Sequence, residues 1–539
     1  MTESVAVRVL DVLVVGAGFT GLYMLKKARE LGFKSAVVEA GDDVGGAWYW
    51  NRYPGLRCDS PSHIYCYSFD PELTRDWNWS ERYPERNEIY AYLRHVSERY
   101  DLRKDIQFSH SVTSCTFDEN RNVWSVKTDR GFTYEAQFIV AGTGCLTASQ
   151  MPAIEGIDRF RGRSFHTSRW PEGGVDFTAK RVAVIGTGAT AVQCIPLIAL
   201  QAKQLTVFQR TPTYCIPARN GHVEPEVVAD RKNRAHEIRE KIKHSFFGFE
   251  HEFQEKPIFE ATTEEREAVF QQMWDQGGFA YWLGNYSEMY FDEDANRIVS
   301  EFLHKQIRAI VHDSETAEKL VPKYAFGTKR SPLETNYYDV FNKANVRLID
   351  ATADGPIEHV TESGIVAAGE EHQFDIIVYA TGFDAMTGAL RKMNIVGRDG
   401  AQLNEQWSDG PHTYLGLMVA DFPNLFTVTG PQSPSAFSNV PVSIEQHVEM
   451  ISGILVHLRD RGLALVEPTH DAQSNWGVHL KELVDQTIIA KTDSWYVGSN
   501  VPGKPRTFMI YLGPEGVGGY RRTCDEIVAD DYRGFKMSA

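Results

Sequence analysis

The sequence has 539 residues, a formal net charge of −16, 42% hydrophobic residues and 24% charged residues. This length allows roughly two to four globular domains of ordinary composition. An acidic surface repels nucleic-acid phosphates and anionic lipid headgroups, so neither is expected as a partner.

No apolar run reaches the ~18 residues of a membrane span, and the start lacks the pattern of a signal peptide. The seven cysteines contain no C-x-x-C pair, which disfavours a disulfide framework and a zinc site. No metal is therefore predicted. We expect a reduced, cytoplasmic protein that is a monomer or a homodimer.

The first segment that points to a cofactor is a predicted strand, turn, helix and strand over residues 11–41. Gly16, Gly18 and Gly21 form G-x-G-x-x-G after an apolar strand, a spacing that lets a pyrophosphate approach the backbone and the helix N-terminus. The next strand ends at Glu39, roughly 20 residues later, where a carboxylate holds ribose hydroxyls. This unit predicts FAD or NAD. The alternative is a glycine-rich turn in an ordinary β–α unit.

A second such unit lies at residues 180–212. Gly186, Gly188 and Ala191 fit the G-x-G-x-x-G/A form, and the following strand ends in Gln-Arg-Thr instead of an acid. Arg210 can stack on adenine and pair with a 2′-phosphate, whereas the alternative is a surface arginine at a strand end. The predicted NADP(H) contacts of this unit are Gly186, Thr187, Gly188, Arg210 and Thr211.

The doubled glycine turn predicts an α/β fold with two dinucleotide-binding, Rossmann-like domains and a helical insert in the second. We place the FAD domain at residues 1–150 and 385–539. The NADP domain takes residues 151–221 and 324–384, and the insert takes residues 222–323. Within the FAD domain, the substrate and C-terminal loops are expected in the second part.

The insert carries two helix signals. Thr262 and Glu265 have the spacing of a capping box. A set of apolar residues also recurs at helical spacing: Val299, Phe302, Leu303, Ile307 and Ile310. We expect the aromatic residues of the insert to lie in its core.

Two longer motifs narrow the class of flavoprotein. Residues 45–62 contain only Cys58, so a redox cysteine pair is absent there. The first-domain motif, residues 45–59, reads G-G-x-W-x-x-x-x-Y-P-G-x-x-x-D, and the linker motif, residues 160–171, reads F-x-G-x-x-x-H-x-x-x-W-P. Over nearly the whole chain, the sequence resembles the type I Baeyer–Villiger monooxygenases, close to the phenylacetone, cyclohexanone and steroid ketone members. Flavin-containing N- and S-oxygenases are the alternative, but they end the linker motif in Phe or Tyr where Trp170 stands.

The linker motif joins the two nucleotide domains. We expect Phe160, Gly162, His166 and Trp170 to form a hinge that couples the cofactors, with Gly162 allowing a backbone turn. The alternative is a buried histidine and tryptophan in an ordinary domain interface. His166 is not expected to act as a general base.

The resemblance implies an NADPH- and O2-dependent conversion of ketones to esters or lactones, through a C4a-peroxyflavin and a tetrahedral adduct, and it also allows sulfoxidation. It implies that Arg330 stabilises the negative charge of these species and that Asp59 pairs with Arg330. Without the resemblance, Arg330 would be a surface residue and Asp59 could cap a short helix.

The resemblance also implies cofactor and substrate contacts. Lys329 should hold the 2′-phosphate together with Arg210 and Thr211, and Trp495 should close over NADP. Further FAD contacts are expected at Gly46, Trp48, Asp59 and Tyr65. The substrate pocket is expected at Gln432, Ser435, Ala436 and Phe437. A third hypothesis is a dinucleotide-binding sensor without enzymatic activity.

Overall fold

The first glycine turn connects strand Val7–Val15 to helix Phe19–Glu30, and strand Ser35–Val38 follows, in the computed structural model of the protein. The structure describes residues 7–499, 501–513 and 515–539. The strand Val7–Val15 pairs in parallel with Ser35–Val38 on one side and with Thr133–Ala141 on the other. Its residues 12–14 are fully buried, as expected for a parallel strand that is covered on both faces.

The first sheet combines early and late parts of the chain. Its strands lie in the order Ile395–Val396, Val112–Asp118, Val123–Thr128, Thr133–Ala141, Val7–Val15, Ser35–Val38 and Ile106–Gln107, and Leu425–Thr427 also pairs with Thr133–Ala141. The early part also contains the helices Ala47–Trp50, Pro71–Asp76 and Arg86–Arg99. The C-terminal part of the chain therefore returns to the sheet with which the chain begins.

A second sheet, in which all strands are parallel, contains the second glycine turn. Its strands lie in the order Val346–Asp350, Gln204–Gln209, Arg181–Ile185, Ile376–Tyr379 and Arg163–His166. The turn joins Arg181–Ile185 to helix Ala189–Gln201. The linker motif thus supplies an edge strand of this sheet, a role that we did not predict.

Helices fill the segment between the short paired strands Ile216–Pro217 and Leu333–Glu334. They are Pro225–Asn233, Ala235–His244, Thr263–Gln276, Ala280–Leu283, Glu293–Ile310 and Ser314–Leu320. The predicted capping box is confirmed: Thr262 Oγ1 accepts from the Glu265 N–H, and the Glu265 carboxylate accepts from the Thr262 N–H. On helix Glu293–Ile310 the predicted apolar face is buried, with Ile310 half-buried at its end.

The C-terminal part packs the long helix Val440–Arg461 against helix Phe19–Glu30. Its other elements are the helices Gly388–Arg391, Leu403–Gln406, His470–Asp485 and Gly516–Ala529 and the antiparallel strands Leu465–Pro468 and Phe535–Ser538. A small antiparallel sheet, Ile357–Val360, Gly364–Ala367 and Glu370–Gln373, precedes them. Among the helices of the described residues, none has the length and apolarity needed to cross a bilayer.

Candidate active site

The first glycine turn forms a cradle that has no room for side chains. A Cβ atom on Gly21 would lie 1.8 Å from the Gly16 carbonyl oxygen, and Gly16 itself has a φ of +98°. Gly46, with a φ of +54°, faces Gly18, and a Cβ atom on Gly46 would lie 3.0 Å from the Gly18 Cα atom. Helix Phe19–Glu30 begins here without a side-chain cap, so its first N–H groups face outward. These features fit a bound pyrophosphate.

Glu39 lies beside this turn at the end of its strand. Its buried carboxylate accepts hydrogen bonds from the Ala17 N–H at 2.6 Å and the Gly41 N–H at 2.7 Å. Burial raises the pKa of Glu39 above its ordinary value, although these N–H groups act in the opposite direction. Glu39 therefore sits where the ribose of a dinucleotide is expected.

A cavity of about 380 Å³ extends from this turn towards the C-terminal part of the chain. Trp48 and Tyr65 form one wall, with the Trp48 indole N–H donating to the Tyr65 hydroxyl at 3.3 Å. The predicted residues that line this cavity are Gly16, Gly18, Glu39, Gly46, Trp48, Tyr65 and Ala436. The glycine turn and the predicted substrate loop thus border the same space.

Arg330 is held in a fixed orientation next to this loop. Its Nε–H and one Nη2–H donate to the two carboxylate oxygens of Asp59 at 2.7 and 2.9 Å. Its Nη1 group donates to the Ala436 carbonyl at 2.9 Å. The guanidinium also lies over the rings of Phe279 and Trp282, 5.0 and 5.8 Å from their centres. This is a forked ion pair with an aromatic wall.

The electrostatics keep Arg330 charged. Burial on its own lowers the pKa of this guanidinium, but the Asp59 carboxylate outweighs burial and raises the pKa above its ordinary value. No helix follows Asp59 in this described segment, because residues 60–66 form turns and bends. The geometry therefore favours the pairing interpretation of Asp59 over the helix-capping alternative.

A larger cavity of about 1080 Å³ is lined by Arg210, Thr211 and Lys329, whereas Gly186, Thr187 and Gly188 of the second glycine turn are not among its lining residues. Lys329 is half-buried with its ammonium group 4.4 Å from the Tyr324 ring centre. Burial lowers the pKa of Lys329, and the nearby Arg210 lowers it further, whereas Asp493 of the same cavity acts in the opposite direction without forming an ion pair. Within the residues that the structure describes, neither cation forms an ion pair with a carboxylate. Two adjacent cations without a carboxylate partner fit a phosphate.

The second glycine turn resembles the first in its backbone conformation and in the uncapped helix that follows it. Gly186 has a φ of +110°, and a Cβ atom there would lie 2.5 Å from the Ala380 carbonyl oxygen. A Cβ atom on Gly188 would meet nothing within 4 Å, and helix Ala189–Gln201 begins at Gly188 without a side-chain cap. Thr187 donates its hydroxyl to the Thr211 carbonyl at 2.9 Å, which ties the turn to the strand end. The open space at Gly188 fits a dinucleotide.

The remaining predicted residues are less close to the two cavities. The Gln432 side chain points away, since its oxygen accepts from the Thr413 N–H and hydroxyl at 2.9 Å. The Ser435 hydroxyl donates to the Thr429 carbonyl at 3.0 Å. The Phe437 ring packs against the ring of Tyr496, the residue after Trp495, with 5.3 Å between the two ring centres. Trp495 is half-buried and is not among the residues that line either cavity.

The linker motif is fixed to the second sheet. A Cβ atom on Gly162 would lie 2.4 Å from the Phe160 ring and 2.7 Å from the Asp375 carbonyl oxygen, so close packing, not a turn, requires this glycine. His166 Nδ1 lies 2.7 Å from the Ser168 hydroxyl, and burial lowers the pKa of His166. Trp170 is buried against Phe165 and other apolar residues.

The structure adds functional candidates that the sequence did not indicate. Phe279 and Trp282 belong to the helical insert, where we expected core residues, and both are indeed buried. They also form the aromatic wall of Arg330. Tyr496, which is fully buried, also contributes to raising the pKa of Arg330. No sequence pattern links these residues to position 330, because the contacts join distant parts of the chain.

The fold and these contacts define a class of protein. The first glycine turn lines one cavity, and the second turn is hydrogen-bonded to Thr211, which lines the other. The neighbours Lys329 and Arg330 connect the two cavities, because Lys329 lines one and Arg330 binds the Ala436 carbonyl at the other. This arrangement is typical of flavoproteins that bind a nicotinamide dinucleotide at a second domain.

Comparisons with known proteins define the family more closely. Residues 10–242 match the flavin-binding monooxygenase-like family. The chain is 43% identical to the acetone monooxygenase (methyl acetate-forming) of Gordonia sp. (strain TY-5), over 98% of this chain and 99% of the relative. It is 39% identical to the phenazine N-monooxygenase of Lysobacter antibioticus, over 97% of this chain and 96% of the relative.

Solved structures agree. An oxidized steroid monooxygenase bound to NADP is 44% identical and superposes with a TM-score of 0.93 over 98% of this chain and 99% of the other. OTEMO in complex with FAD and NADP is 39% identical, with a TM-score of 0.95 over 99% of this chain and all of the other. The chain belongs to the Baeyer–Villiger monooxygenases. The predicted family and the predicted fold class are therefore confirmed.

Proposed function

We propose that the protein uses NADPH and dioxygen to convert a ketone to an ester or a lactone. The observation that carries this proposal is the Arg330 guanidinium, which Asp59 holds beside the cavity of the first glycine turn. The prediction of FAD and NADP(H) as cofactors is confirmed by the family and its solved members. When bound, the flavin supplies the reducing power that activates dioxygen for transfer of one oxygen atom.

Arg330 supplies fixed positive charge in this proposal. A guanidinium has five N–H donors, and three of them are engaged by Asp59 and by the Ala436 carbonyl. Two N–H groups thus remain without a partner among the described residues. They can bind an oxygen atom on which negative charge develops, and a donor that is already oriented loses little free energy to reorganisation.

Asp59 acts through Arg330. Its two carboxylate oxygens select one rotamer of the guanidinium and offset the cost of burying a charge. The aromatic wall of Phe279 and Trp282 lies on the guanidinium faces, leaving the edge for oxygen atoms. We therefore assign Arg330 the catalytic role and Asp59 the supporting one.

The second cavity is assigned to NADP(H). Lys329, Arg210 and Thr211 would bind the 2′-phosphate, because the two cations have no carboxylate partner in the described part of the chain. Gly186, Thr187 and Gly188 would carry the pyrophosphate. Trp495 would close over the nicotinamide half of the cofactor. The domain boundaries at residues 150, 221, 323 and 384 remain part of this proposal.

The substrate would enter beside Ala436 and Phe437. The side chains of Gln432 and Ser435 would hold the loop in shape through their hydrogen bonds to Thr413 and to the Thr429 carbonyl. Sulfides are further substrates for the same site. We also propose that the protein works in the cytoplasm, as a monomer or a homodimer. The seven cysteines are free, as expected for a reducing compartment.

The test is a substrate panel of small cyclic, aryl-aliphatic and steroid ketones with one sulfide, scored for ester or sulfoxide formed per NADPH consumed. We expect ester from at least one ketone. Arg330→Ala should reduce ester formation by about 10²–10³-fold while the protein still consumes NADPH. Ester formation by this variant at the wild-type rate would refute the role of Arg330.

N- or S-oxygenation is the second candidate function, and one observation favours it: the 39% identity to a phenazine N-monooxygenase. Electrophilic oxygen transfer to nitrogen or sulfur does not require a guanidinium beside the reacting oxygen. The same panel, with one aromatic N-heterocycle added, therefore separates the two. If wild type makes only N-oxide or sulfoxide, and Arg330→Ala leaves that rate unchanged, the second function is the correct one. A sensor without activity would consume no NADPH at all.

A further inference from the structure

A fully buried histidine lies behind the loop that borders the flavin cavity. His447, on helix Val440–Arg461, has no exposed surface, and neither has Tyr520 of helix Gly516–Ala529. His447 Nδ1 accepts the Thr429 N–H at 3.0 Å, and its Nε2 lies 2.8 Å from the Tyr520 hydroxyl. Thr429 itself lines the cavity. His447 thus connects a C-terminal helix to the wall of the cofactor site.

The hydrogen bonds fix the tautomer of this histidine. The Tyr520 hydroxyl has one proton, which it donates to the Leu415 carbonyl at 2.5 Å. Its oxygen must therefore accept from His447 Nε2–H, and Nδ1 must be unprotonated to accept the Thr429 N–H. The ring is neutral, with one donor and one acceptor, and both are used.

The loop that His447 holds is conformationally strained. Thr429, Gln432 and Ser435 have φ values of +50°, +72° and +42°, in the region that residues other than glycine seldom adopt. Such residues persist only where their surroundings enforce the conformation. The hydrogen bond from Thr429 to His447 is one of the contacts that enforce it.

A path of contacts leads from Thr429 to Arg330. The Ser435 hydroxyl donates to the Thr429 carbonyl at 3.0 Å. Ala436 follows Ser435 in a short 3-10 turn, and its carbonyl accepts from Arg330 Nη1 at 2.9 Å. A shift of Thr429 therefore moves the acceptor that, together with Asp59, orients the guanidinium.

We propose that His447 is a positioning residue for oxygen transfer, which holds Thr429 and, through the loop 429–436, the carbonyl that orients Arg330. This inference rests on the proposed function of Arg330. His447 touches neither substrate nor cofactor. It acts on the reaction by fixing where the two unpaired N–H groups of Arg330 point.

Two amide substitutions distinguish the two ring nitrogens. In His447→Asn the amide oxygen takes the place of Nδ1 and can still accept the Thr429 N–H. In His447→Gln the amide group lies near the position of Nε2 and leaves the Thr429 N–H without its acceptor. The matched control is Ser452→Ala, which removes another buried hydrogen bond on the same helix, from Ser452 to the Val448 carbonyl, away from the loop.

The first measurement is hydrogen–deuterium exchange of peptides containing residues 429–436, in protein with and without added cofactors. We expect wild type, His447→Asn and Ser452→Ala to protect the Thr429 amide alike. In His447→Gln, exchange should be about tenfold faster or more, as for loss of a buried hydrogen bond. Equal protection in both His447 variants would overturn the proposed contact.

The second measurement is the ester formed per NADPH consumed, on a ketone that wild type has first been shown to convert. We expect a loss of about tenfold in His447→Gln and little change in His447→Asn and Ser452→Ala. The rate at which NADPH reduces the flavin without oxygen should stay within about twofold of wild type in all three, because that step does not use Arg330.

Two results would contradict the proposal. One is a His447→Gln variant with fast exchange at residue 429 but wild-type ester yield. The other is an equal fall in yield and melting temperature in both His447 variants, which would show a purely structural role. If His447→Gln does not fold, His447→Leu removes the same acceptor of the Thr429 N–H with an apolar side chain and must likewise lower the ester yield. A wild type that converts no ketone, with the exchange pattern as expected, would instead refute the proposed function.

Discussion

The Asp59 carboxylate accepts two hydrogen bonds from the Arg330 guanidinium, at 2.7 and 2.9 Å, although 271 positions separate the two residues in the sequence. Asp59 closes the first-domain motif, and Arg330 follows the helical insert of the second domain. The pair therefore joins the first-domain motif to the segment that carries Lys329, which lines one cavity, and Arg330 also binds the carbonyl of Ala436, which lines the other. Its energetics lead to the first prediction.

Replacing Asp59 by Asn should impair both stability and oxygen transfer. The amide has one acceptor oxygen and no charge, so the buried guanidinium loses its counterion. Breaking a fully buried pair costs about 3–5 kcal/mol. Since the Asp59 side chain is 32% exposed, we expect about 1–3 kcal/mol in the free energy of unfolding. Urea titration and ester yield measure the two effects.

The exposed Asp409 provides the control for this substitution, and Asp409→Asn should change neither quantity. The KM for NADPH should stay within about twofold in Asp59→Asn, because the 2′-phosphate site does not involve Asp59. A wild-type ester yield in Asp59→Asn would show that Arg330 does not need Asp59 for oxygen transfer.

Lys329→Ala should discriminate between the two nicotinamide cofactors. Charge-assisted hydrogen bonds are worth about 1.5–3 kcal/mol, so we expect the KM for NADPH to rise about 10–100-fold. The KM for NADH should change little, since NADH lacks the 2′-phosphate. Steady-state kinetics with both cofactors provide the measurement, and the exposed Lys343→Ala serves as control. An equal rise for both cofactors would contradict the assignment of Lys329.

Replacing the two glycines of the second turn by alanine should affect different properties: NADPH binding at Gly188 and stability at Gly186. At Gly188 the added methyl group meets no protein atom, so the melting temperature should stay constant while NADPH binding weakens, because the methyl group projects into the pyrophosphate space. At Gly186 the φ of +110° and the Ala380 carbonyl at 2.5 Å oppose a side chain, so the melting temperature should fall.

Calorimetry and NADPH titration of both variants measure this difference. If Gly188→Ala bound NADPH as wild type does, the dinucleotide would have to lie elsewhere, and the second cavity would lose its assignment. A wild-type melting temperature for Gly186→Ala would instead show that the turn can relax.

His447 should make the protein less stable in acid. Burial, together with a smaller contribution from the Arg521 charge, lowers the pKa of His447 to about 3. The unfolded chain, with a histidine pKa near 6.5, therefore binds more protons than the folded protein between these values. Stability falls as the pH decreases through this window, by about 2 kcal/mol from this residue at pH 5.

The measurement compares urea unfolding of wild type and His447→Asn between pH 7.5 and about pH 5. Other buried histidines contribute equally to both proteins, so the difference in slope isolates His447. We expect the variant to lose less stability on acidification. Parallel pH profiles would mean that His447 binds protons equally in the folded and the unfolded states, which contradicts the lowered pKa.

Local features of the fold could be predicted from the sequence, and distant contacts could not. The glycine turns at Gly16 and Gly186 and the capping box at Thr262 depend on residues within one β–α unit or one helical turn. The pairing of Asp59 with Arg330 was expected only through family resemblance, because no spacing rule connects them. The linker motif gave no sign that it forms an edge strand, since its pairing partner lies some 200 residues later in the chain.

In the candidate active site, too, some residues could be predicted from the sequence and others could not. Lys329 and Arg210 were predicted as a pair of phosphate-binding cations, and they do line one cavity. Gln432 was expected in the substrate pocket, but its side chain bonds to Thr413. A loop in which several residues adopt left-handed φ values turns its side chains in directions that strand or helix periodicity cannot anticipate.

The aromatic wall against Arg330 has a consequence for how such enzymes diversify. Phe279 and Trp282 come from a block of helices between strands Ile216–Pro217 and Leu333–Glu334, which pair with each other in a separate two-stranded sheet. The helices of this block, residues 225–320, form an exchangeable cassette: the flanking strands pair side by side, and neither glycine turn, Lys329 nor Arg330 lies within residues 225–320. Grafting a cassette from a relative would reshape the surroundings of the reacting ketone while both nucleotide cradles keep their geometry.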